Sequence, residues 1–275
     1  MEIGLCWAMI HRASLIETIE IAARHGFPTL EVSPGAYFAS LEEGHTEAAL
    51  RRRLADAGVR VQVIDAITGG LPGLPEGDTQ FRGQSVPRDT AETCLAVAQA
   101  LEAPVINISH YRGTHVPLPV MAEAIGAICR KAAAQDVTIV LEFVPESGIP
   151  DIHEALAIAQ ACGEPNCRLM LDTWHLVRGG GTLADVESLP SGSIGAMQLS
   201  DRIEPAPGTP YVPASGRKLP GEGELPLARL IAAALANNPG ITIELEVFSE
   251  NLLSLPPEQA AARTAAAVDA WKQTL

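Results

Sequence analysis

The chain has 275 residues, 47% of them apolar and 19% charged, and a formal net charge of −14. That length fits one closed α/β barrel, so residues 1–275 are read as a single domain. The acidic balance repels polyanions, which argues against nucleic acid as a partner, and no uninterrupted apolar run of about 18 residues offers a membrane span.

The N-terminal stretch MEIGLCWAMIHRA has no basic region ahead of its apolar residues. It reads as a first strand, IGLCWAM, rather than a secretory leader, and a cytoplasmic location is expected. Next comes SLIETIEIAARHG, in which Ser14 and Glu17 form a capping box, Leu15, Ile16, Ile19 and Ala22 an apolar face, and Gly26 a C-terminal stop. The strand TLEVS follows, then a helix over about 44–57 ending at Gly58, then the strand VRVQVIDA. A helix over roughly 88–102 leads to PVINIS, and one over about 117–134 leads to VTIVLEF. Asp151 and Glu154 cap DIHEALAIAQACG ahead of RLMLD. A short helical piece near 182–188 precedes IGAMQLS, PLARLIAAALANN precedes ITIELEV, and a last helix covers about 257–273. Eight strands, each followed by a helix or helical stub, imply a parallel sheet closed into a (β/α)8 barrel. An open doubly wound sheet is the alternative, but the glycine fingerprint expected after its first strand is missing.

Two long loops interrupt the alternation, 67–87 after strand three and 202–224 after strand seven, the latter with four prolines ahead of GRKLPGEGE. Loops of this length in a compact domain read as functional rims. Arg217 and the two glycines flanking Glu222 look placed for a ligand. The five cysteines, Cys6, Cys94, Cys129, Cys162 and Cys167, form an odd set. Three lie in apolar helical surroundings and read as small core residues, so neither disulfides nor a zinc cluster is expected.

Barrel chemistry gathers at the C-terminal strand ends, where Glu31, Asp65, His110, Glu142, Asp172, Gln198 and Glu246 fall. The last four end apolar runs in four consecutive strands, and a carboxylate in such a place must sit beside a cation or carry a large desolvation penalty. Glu142, Asp172, Gln198 and Glu246 are therefore the candidate metal ligands, an oxygen set suited to manganese or magnesium, with cobalt also compatible and zinc disfavoured. Glu244 points the same way as Glu246, one layer deeper. His175, three residues beyond Asp172, can move a proton or hydrogen-bond a substrate oxygen. Arg217 can bind a carboxylate or neutralise an enolate. His110, with Tyr111, Arg112 and His115, crowds the rim after strand four, and Trp7, Tyr37 and Trp174 are candidate apolar walls.

On LEF at Glu142, LDTWH at Asp172 and His175, QLSD at Gln198 to Asp201, RKLPGEGELPL from Arg217 and ELEVFS at Glu246, the chain resembles the xylose-isomerase-like TIM barrels over essentially its whole length. The resemblance implies metal-ligand positions for Glu142, Asp172, Gln198 and Glu246, and substrate-binding positions for His175 and Arg217. Glutamine at 198 is most like a branch that includes 3-dehydroshikimate dehydratases. That branch carries an arginine after strand three, where this chain has VIDAITGGLPG. The expected activity is a divalent-metal-dependent isomerase or epimerase of a small polyhydroxy ketone or aldehyde. Glu142 or Glu246 would act as base, His175 would assist, Arg217, His110 and Trp7 would contact substrate, and the reaction would pass through a metal-stabilised enediolate. A dehydratase of the 3-dehydroshikimate or inosose type is the alternative, with an endonuclease-like nuclease and a non-catalytic sugar-binding protein behind it. Substrate, metal and any homo-oligomeric state stay open.

Overall fold

The computed structural model describes residues 1–81, 84–206, 208–210 and 216–275. Eight parallel strands form one closed barrel. They are β1 (Gly4–Cys6), β2 (Thr29–Val32), β3 (Arg60–Ile67), β4 (Val105–Ser109), β5 (Thr138–Glu142), β6 (Cys167–Asp172), β7 (Ile194–Leu199) and β8 (Thr242–Leu245), with β8 pairing back onto β1. The expected (β/α)8 architecture is what the chain adopts. No helix among the described residues is long and apolar enough to cross a membrane.

Local signals account for the outer layer of helices, among them α3 (Glu47–Ala57), α4 (Ala91–Leu101) and α5 (Leu118–Ala133). In α1 (Leu15–Arg24) the Ser14 hydroxyl accepts from the Glu17 amide at 3.2 Å and the Glu17 carboxylate accepts from the Ser14 amide at 2.8 Å, so two terminal amides are satisfied reciprocally. Asp151 does the same for α6 (Ile152–Cys162), accepting from the His153 and Glu154 amides at 2.9 Å each. Two local expectations fail. Strand one stops at Cys6, and Trp7–Ile10 turns into a single 3-10 turn. A helix, α2 (Pro34–Glu42), also lies where no element was expected, with Ser33 as its cap and Pro34 in its first turn. Proline is favoured in a first turn, where its missing N–H is not needed.

What positions the chemistry is the alternation inside the barrel. Val63, Val105, Val140, Met170 and Ala196, one each from β3 to β7, form an apolar cluster of their own, separate from the larger core between sheet and helices. Side chains two positions apart on a strand point the same way. Two residues toward the C-terminal end of those strands stand Asp65, Asn107, Glu142, Asp172 and Gln198. The same step from Gly4, Thr29 and Glu244 reaches Cys6, Glu31 and Glu246. One residue per strand thus makes a polar layer directly above an apolar one.

Candidate active site

The eight residues of that layer touch across the barrel. The Gln198 amide nitrogen on β7 donates to Glu31 on β2 at 2.8 Å and to Glu246 at 3.3 Å. Asn107 donates to Asp65 at 2.9 Å and to Glu142 at 3.1 Å. The Trp7 indole donates to Asp65 at 3.2 Å, which fixes Trp7 at the edge of the layer, and Cys6 points its thiol at Glu31, 3.7 Å away. Donor atoms of Glu142, Asp172 and His175 lie within 4.8 Å of one another, as do those of Cys6, Glu31, Asp65 and Glu246.

Arg217 joins the two groups. Its guanidinium, 2% exposed, donates through one nitrogen to Asp172 at 2.7 Å, to the Glu246 carboxylate at 2.6 Å and to the Glu246 carbonyl at 2.9 Å. It lies 5.9 Å from the centre of the Trp174 ring and 5.2 Å from that of Phe248, so two aromatic rings flank the guanidinium. Its other terminal nitrogen is 3.1 Å from His175 Nε2, and the same ring nitrogen is 3.3 Å from Glu142. These two contacts make opposite demands. A guanidinium only donates and needs the ring lone pair, whereas the carboxylate only accepts and needs an N–H there. His175 can satisfy one at a time, which suits a group that carries a proton between states.

The electrostatics are unbalanced. Five buried or half-buried carboxylates, Glu31, Asp65, Glu142, Asp172 and Glu246, face one guanidinium among the described contacts. Burial, reinforced by the charges of Asp65, Glu246 and Glu244, pushes Glu31 well above the usual carboxylate range. Burial does the same to Glu246 despite the opposing pull of Arg217. Asp65 is raised to about 6 by burial and by Glu142. Burial also acts on Asp172, but Arg217 and His175 outweigh it and hold its carboxyl low. Carboxyls raised in this way are ones whose charged form a further cation would stabilise.

The four residues expected to hold a metal are thus brought into one connected network, with Asp172 and Glu246 on Arg217, Gln198 on Glu246, and Glu142 on His175. His110 is placed differently. It is fully buried, its Nε2 lies 2.9 Å from the Pro72 carbonyl, and a Cβ at Gly113 or Gly148 would fall within 2.5 Å of its ring. No hydrogen bond among the described residues links it to the carboxylates, and its visible work is to seat the rim loops. Tyr37 is buried, and its hydroxyl donates to Glu47 at 3.0 Å.

The glycines around Glu222 are also committed. The Gly221 and Gly223 amides donate to Asp201 at 3.1 and 3.0 Å, and that carboxylate also takes the Leu225 amide at 2.9 Å. A Cβ at Gly223 would stand 2.3 Å from both the Arg202 carbonyl and Asp201, so the loop closes only with glycine there. Asp201 anchors the segment whose two-residue ribbon, Asp201–Arg202 with Arg217–Lys218, delivers Arg217 to the layer. Of the four prolines in this loop, Pro207 and Pro213 lie outside the described residues. Asn107 and Phe248 were missed at the sequence level. The alternation that placed Glu142 places Asn107 equally, but an asparagine in an apolar run carries no charge to draw notice.

A family model described as xylose isomerase-like TIM barrel matches residues 19–272. An inosose isomerase of Halalkalibacterium halodurans is 19% identical over 257 residues, covering 91% of this chain and 89% of that protein. Among solved structures, the IolI protein with a binding zinc atom superposes with a TM-score of 0.79 at 15% identity, covering 100% of this chain and 99% of that one. An L-ribulose 3-epimerase does so at 0.70 and 19% identity, covering 100% and 95%.

Proposed function

The chain belongs to the xylose isomerase-like TIM barrel family, and from that premise and the polar layer we propose that it is a divalent-metal-dependent isomerase or epimerase of a small polyhydroxy ketone or aldehyde. One observation carries the reading most. Gln198 spends its amide nitrogen on Glu31 and Glu246 and leaves its carbonyl oxygen buried without a partner among the described residues, beside more carboxylates than Arg217 balances. Such an orphaned acceptor costs on the order of 1–3 kcal/mol, and a cation would satisfy it.

Glu142, Asp172, Gln198 and Glu246 are the residues that would hold the ion, and three carboxylates with one amide oxygen form a hard donor set suited to manganese or magnesium. When bound, the ion would supply Lewis-acid polarisation of a substrate carbonyl and its neighbouring hydroxyl, which acidifies the carbon between them. The remaining work falls to side chains. Glu142 or Glu246 takes the proton from that carbon. His175, poised between Glu142 and Arg217, relays a proton between substrate oxygens. Arg217, held by two carboxylates and two rings, offsets the charge of the enediolate, and Trp7, Trp174 and Phe248 shield the layer from water. Returning the proton to another position gives isomerisation or epimerisation.

The test is solvent deuterium exchange into a panel of ketoses and inososes, with 3-dehydroshikimate included and manganese present. Exchange into at least one ketose or inosose, lost after chelation, is the expected result. No exchange with any of them would overturn the assignment. Efficient formation of protocatechuate from 3-dehydroshikimate, seen as new ultraviolet absorbance, would replace the isomerase by a dehydratase.

A further inference from the structure

At the opposite end of the barrel from the carboxylates, three cysteines from three separate elements meet. Cys129 lies on α5 (Leu118–Ala133), Cys162 ends α6, and Cys167 begins β6. Their sulfurs all lie within 4.8 Å of one another. The sequence suggested isolated core thiols because only Cys162 and Cys167 are near in the chain. The third member arrives through the packing of α5 against α6.

We propose that Cys129, Cys162 and Cys167 form a binding site for a thiophilic cation of the zinc, cadmium or cuprous class, separate from the carboxylate layer. A metal–thiolate bond is about 2.3 Å, so two thiolates on one tetrahedral ion stand roughly 3.8 Å apart, and the three sulfurs need to close by no more than about 1 Å. The frame around them is fixed. The Asn166 amide donates to the Cys129 carbonyl at 2.9 Å and to the Val137 carbonyl at 3.0 Å, which ties the turn between Cys162 and Cys167 to α5.

Access and chemistry agree with the geometry. Cys129 is fully buried and Cys167 nearly so, while Cys162 is half-buried and offers the entry route. Cys129 is held below the ordinary thiol range because Cys167 and Cys162 donate toward its sulfur, while burial pushes Cys162 up and the hydrogen bond to Cys129, with burial, pushes Cys167 up, so Cys129 is the first of the three to ionise. Cys167 and Asp172 begin and end the same strand, which puts roughly 16 Å between thiols and carboxylates at about 3.3 Å per residue. Hard oxygen donors at one end and soft sulfur donors at the other select different ions.

The experiment titrates the reduced, full-length protein with cadmium while excess magnesium is present, and follows the thiolate-to-cadmium charge-transfer absorbance in the ultraviolet. Close to one cadmium per chain is expected, with protection of Cys162 from iodoacetamide. The band should survive Cys94→Ser, and also Cys6→Ser, which removes the thiol of the carboxylate layer as its source. Cys162→Ser should abolish the band and weaken cadmium binding by more than about a hundredfold, since a supporting residue alone is worth 10- to 100-fold. Because Cys162 is half-buried, this variant should keep the wild-type far-ultraviolet circular dichroism. Absence of the band, its survival in Cys162→Ser, or unprotected alkylation of Cys162 would overturn the proposal. So would a Cys162–Cys167 disulfide forming in a protein that, once reduced, binds no cadmium.

Discussion

Two adjacent layers inside one barrel are built from the same strands and behave in opposite ways. The lower one, from Gly4 and Thr29 through Val63, Val105, Val140, Met170 and Ala196, is filled by apolar or small side chains and takes in a single carboxyl, Glu244. Two residues further along each strand, the upper layer holds five carboxylates, a glutamine, an asparagine and a thiol. The lower layer closes the barrel, and the upper one carries charge that the fold alone does not neutralise. The difference shows how little separates packing from chemistry on a β-strand, because one pleat repeat changes the role while the backbone stays the same.

The comparison breaks most sharply if the upper layer is made neutral. Glu142→Gln and Glu246→Gln each keep the volume while removing a charge and a candidate base. Each should lower turnover by on the order of a thousandfold, with little loss of stability. Steady-state kinetics on the ketose or inosose found by deuterium exchange checks this, and more than a tenth of wild-type activity in either variant would remove that residue from the mechanism.

The lower layer gives the opposite readout, stability without activity. Glu244 accepts from Thr29 at 2.9 Å and Thr242 at 2.6 Å, its second oxygen has no described partner, and a Cβ at Gly4 would stand 1.7 Å from that oxygen. Burial raises its pKa from 4.5 to about 7 against the two threonine hydrogen bonds, with Arg60, Glu2 and Glu31 the charged groups that face it. Below pH 4.5 the carboxyl is protonated whether the chain is folded or not, so its full contribution is present. As pH rises from 4.5 to about 7 the unfolded chain ionises while folded Glu244 keeps its proton, and stability falls by about 3 kcal/mol. Glu244→Gln should flatten that slope in urea unfolding between pH 5 and pH 8 and make the variant the more stable protein at pH 8. Identical slopes would show that Glu244 does not titrate as a buried acid.

Much of this contrast was legible in the sequence. Runs such as IVLEF and RLMLD state both the strand and the acid at its end, and alternation says which residues share a face. Glu31 and Asp65 were visible at strand ends, yet nothing local tied them to Gln198, because that contact crosses the barrel interior and depends on closure. The enclosure of His110 at the rim was not legible, since only tertiary packing brings Pro72, Gly113 and Gly148 around its ring. The three-thiol cluster was hidden for a related reason, as Cys129 and Cys167 are distant in sequence and meet only when α5 and α6 pack side by side.

Arg217 tests whether the upper layer acts as one electrostatic unit. It contacts Asp172, Glu246 and His175 together, and lysine would keep one charge but lose the fork that reaches them simultaneously. Charge-assisted hydrogen bonds of this kind are worth roughly 1.5–3 kcal/mol. Arg217→Lys should therefore lower kcat by about 10- to 100-fold on a neutral ketose, with KM within a few fold. A steep rise in KM for an acidic substrate with kcat intact would instead mark Arg217 as a carboxylate binder and favour the dehydratase.

The smallest expected effect concerns the neutral member of the layer. Gln198 offers an oxygen, whereas histidine at that position would offer a borderline nitrogen. Glu31 already receives the Gln198 amide N–H at 2.8 Å. In Gln198→His the same carboxylate is placed to accept the ring N–H that does not face the ion, and a carboxylate behind a histidine ligand strengthens that ligand. The metal preference should then move toward zinc by about tenfold relative to manganese, roughly 1.4 kcal/mol, since imidazole suits zinc and a carboxamide does not. Competition between the two ions, read as bound metal after dialysis of wild type and variant side by side, measures the shift. If wild-type protein already retains one zinc per chain in the carboxylate layer against a weak chelator, the hard-donor account of this layer is wrong. If the ratio is unchanged in the variant, position 198 lies outside the ligand set.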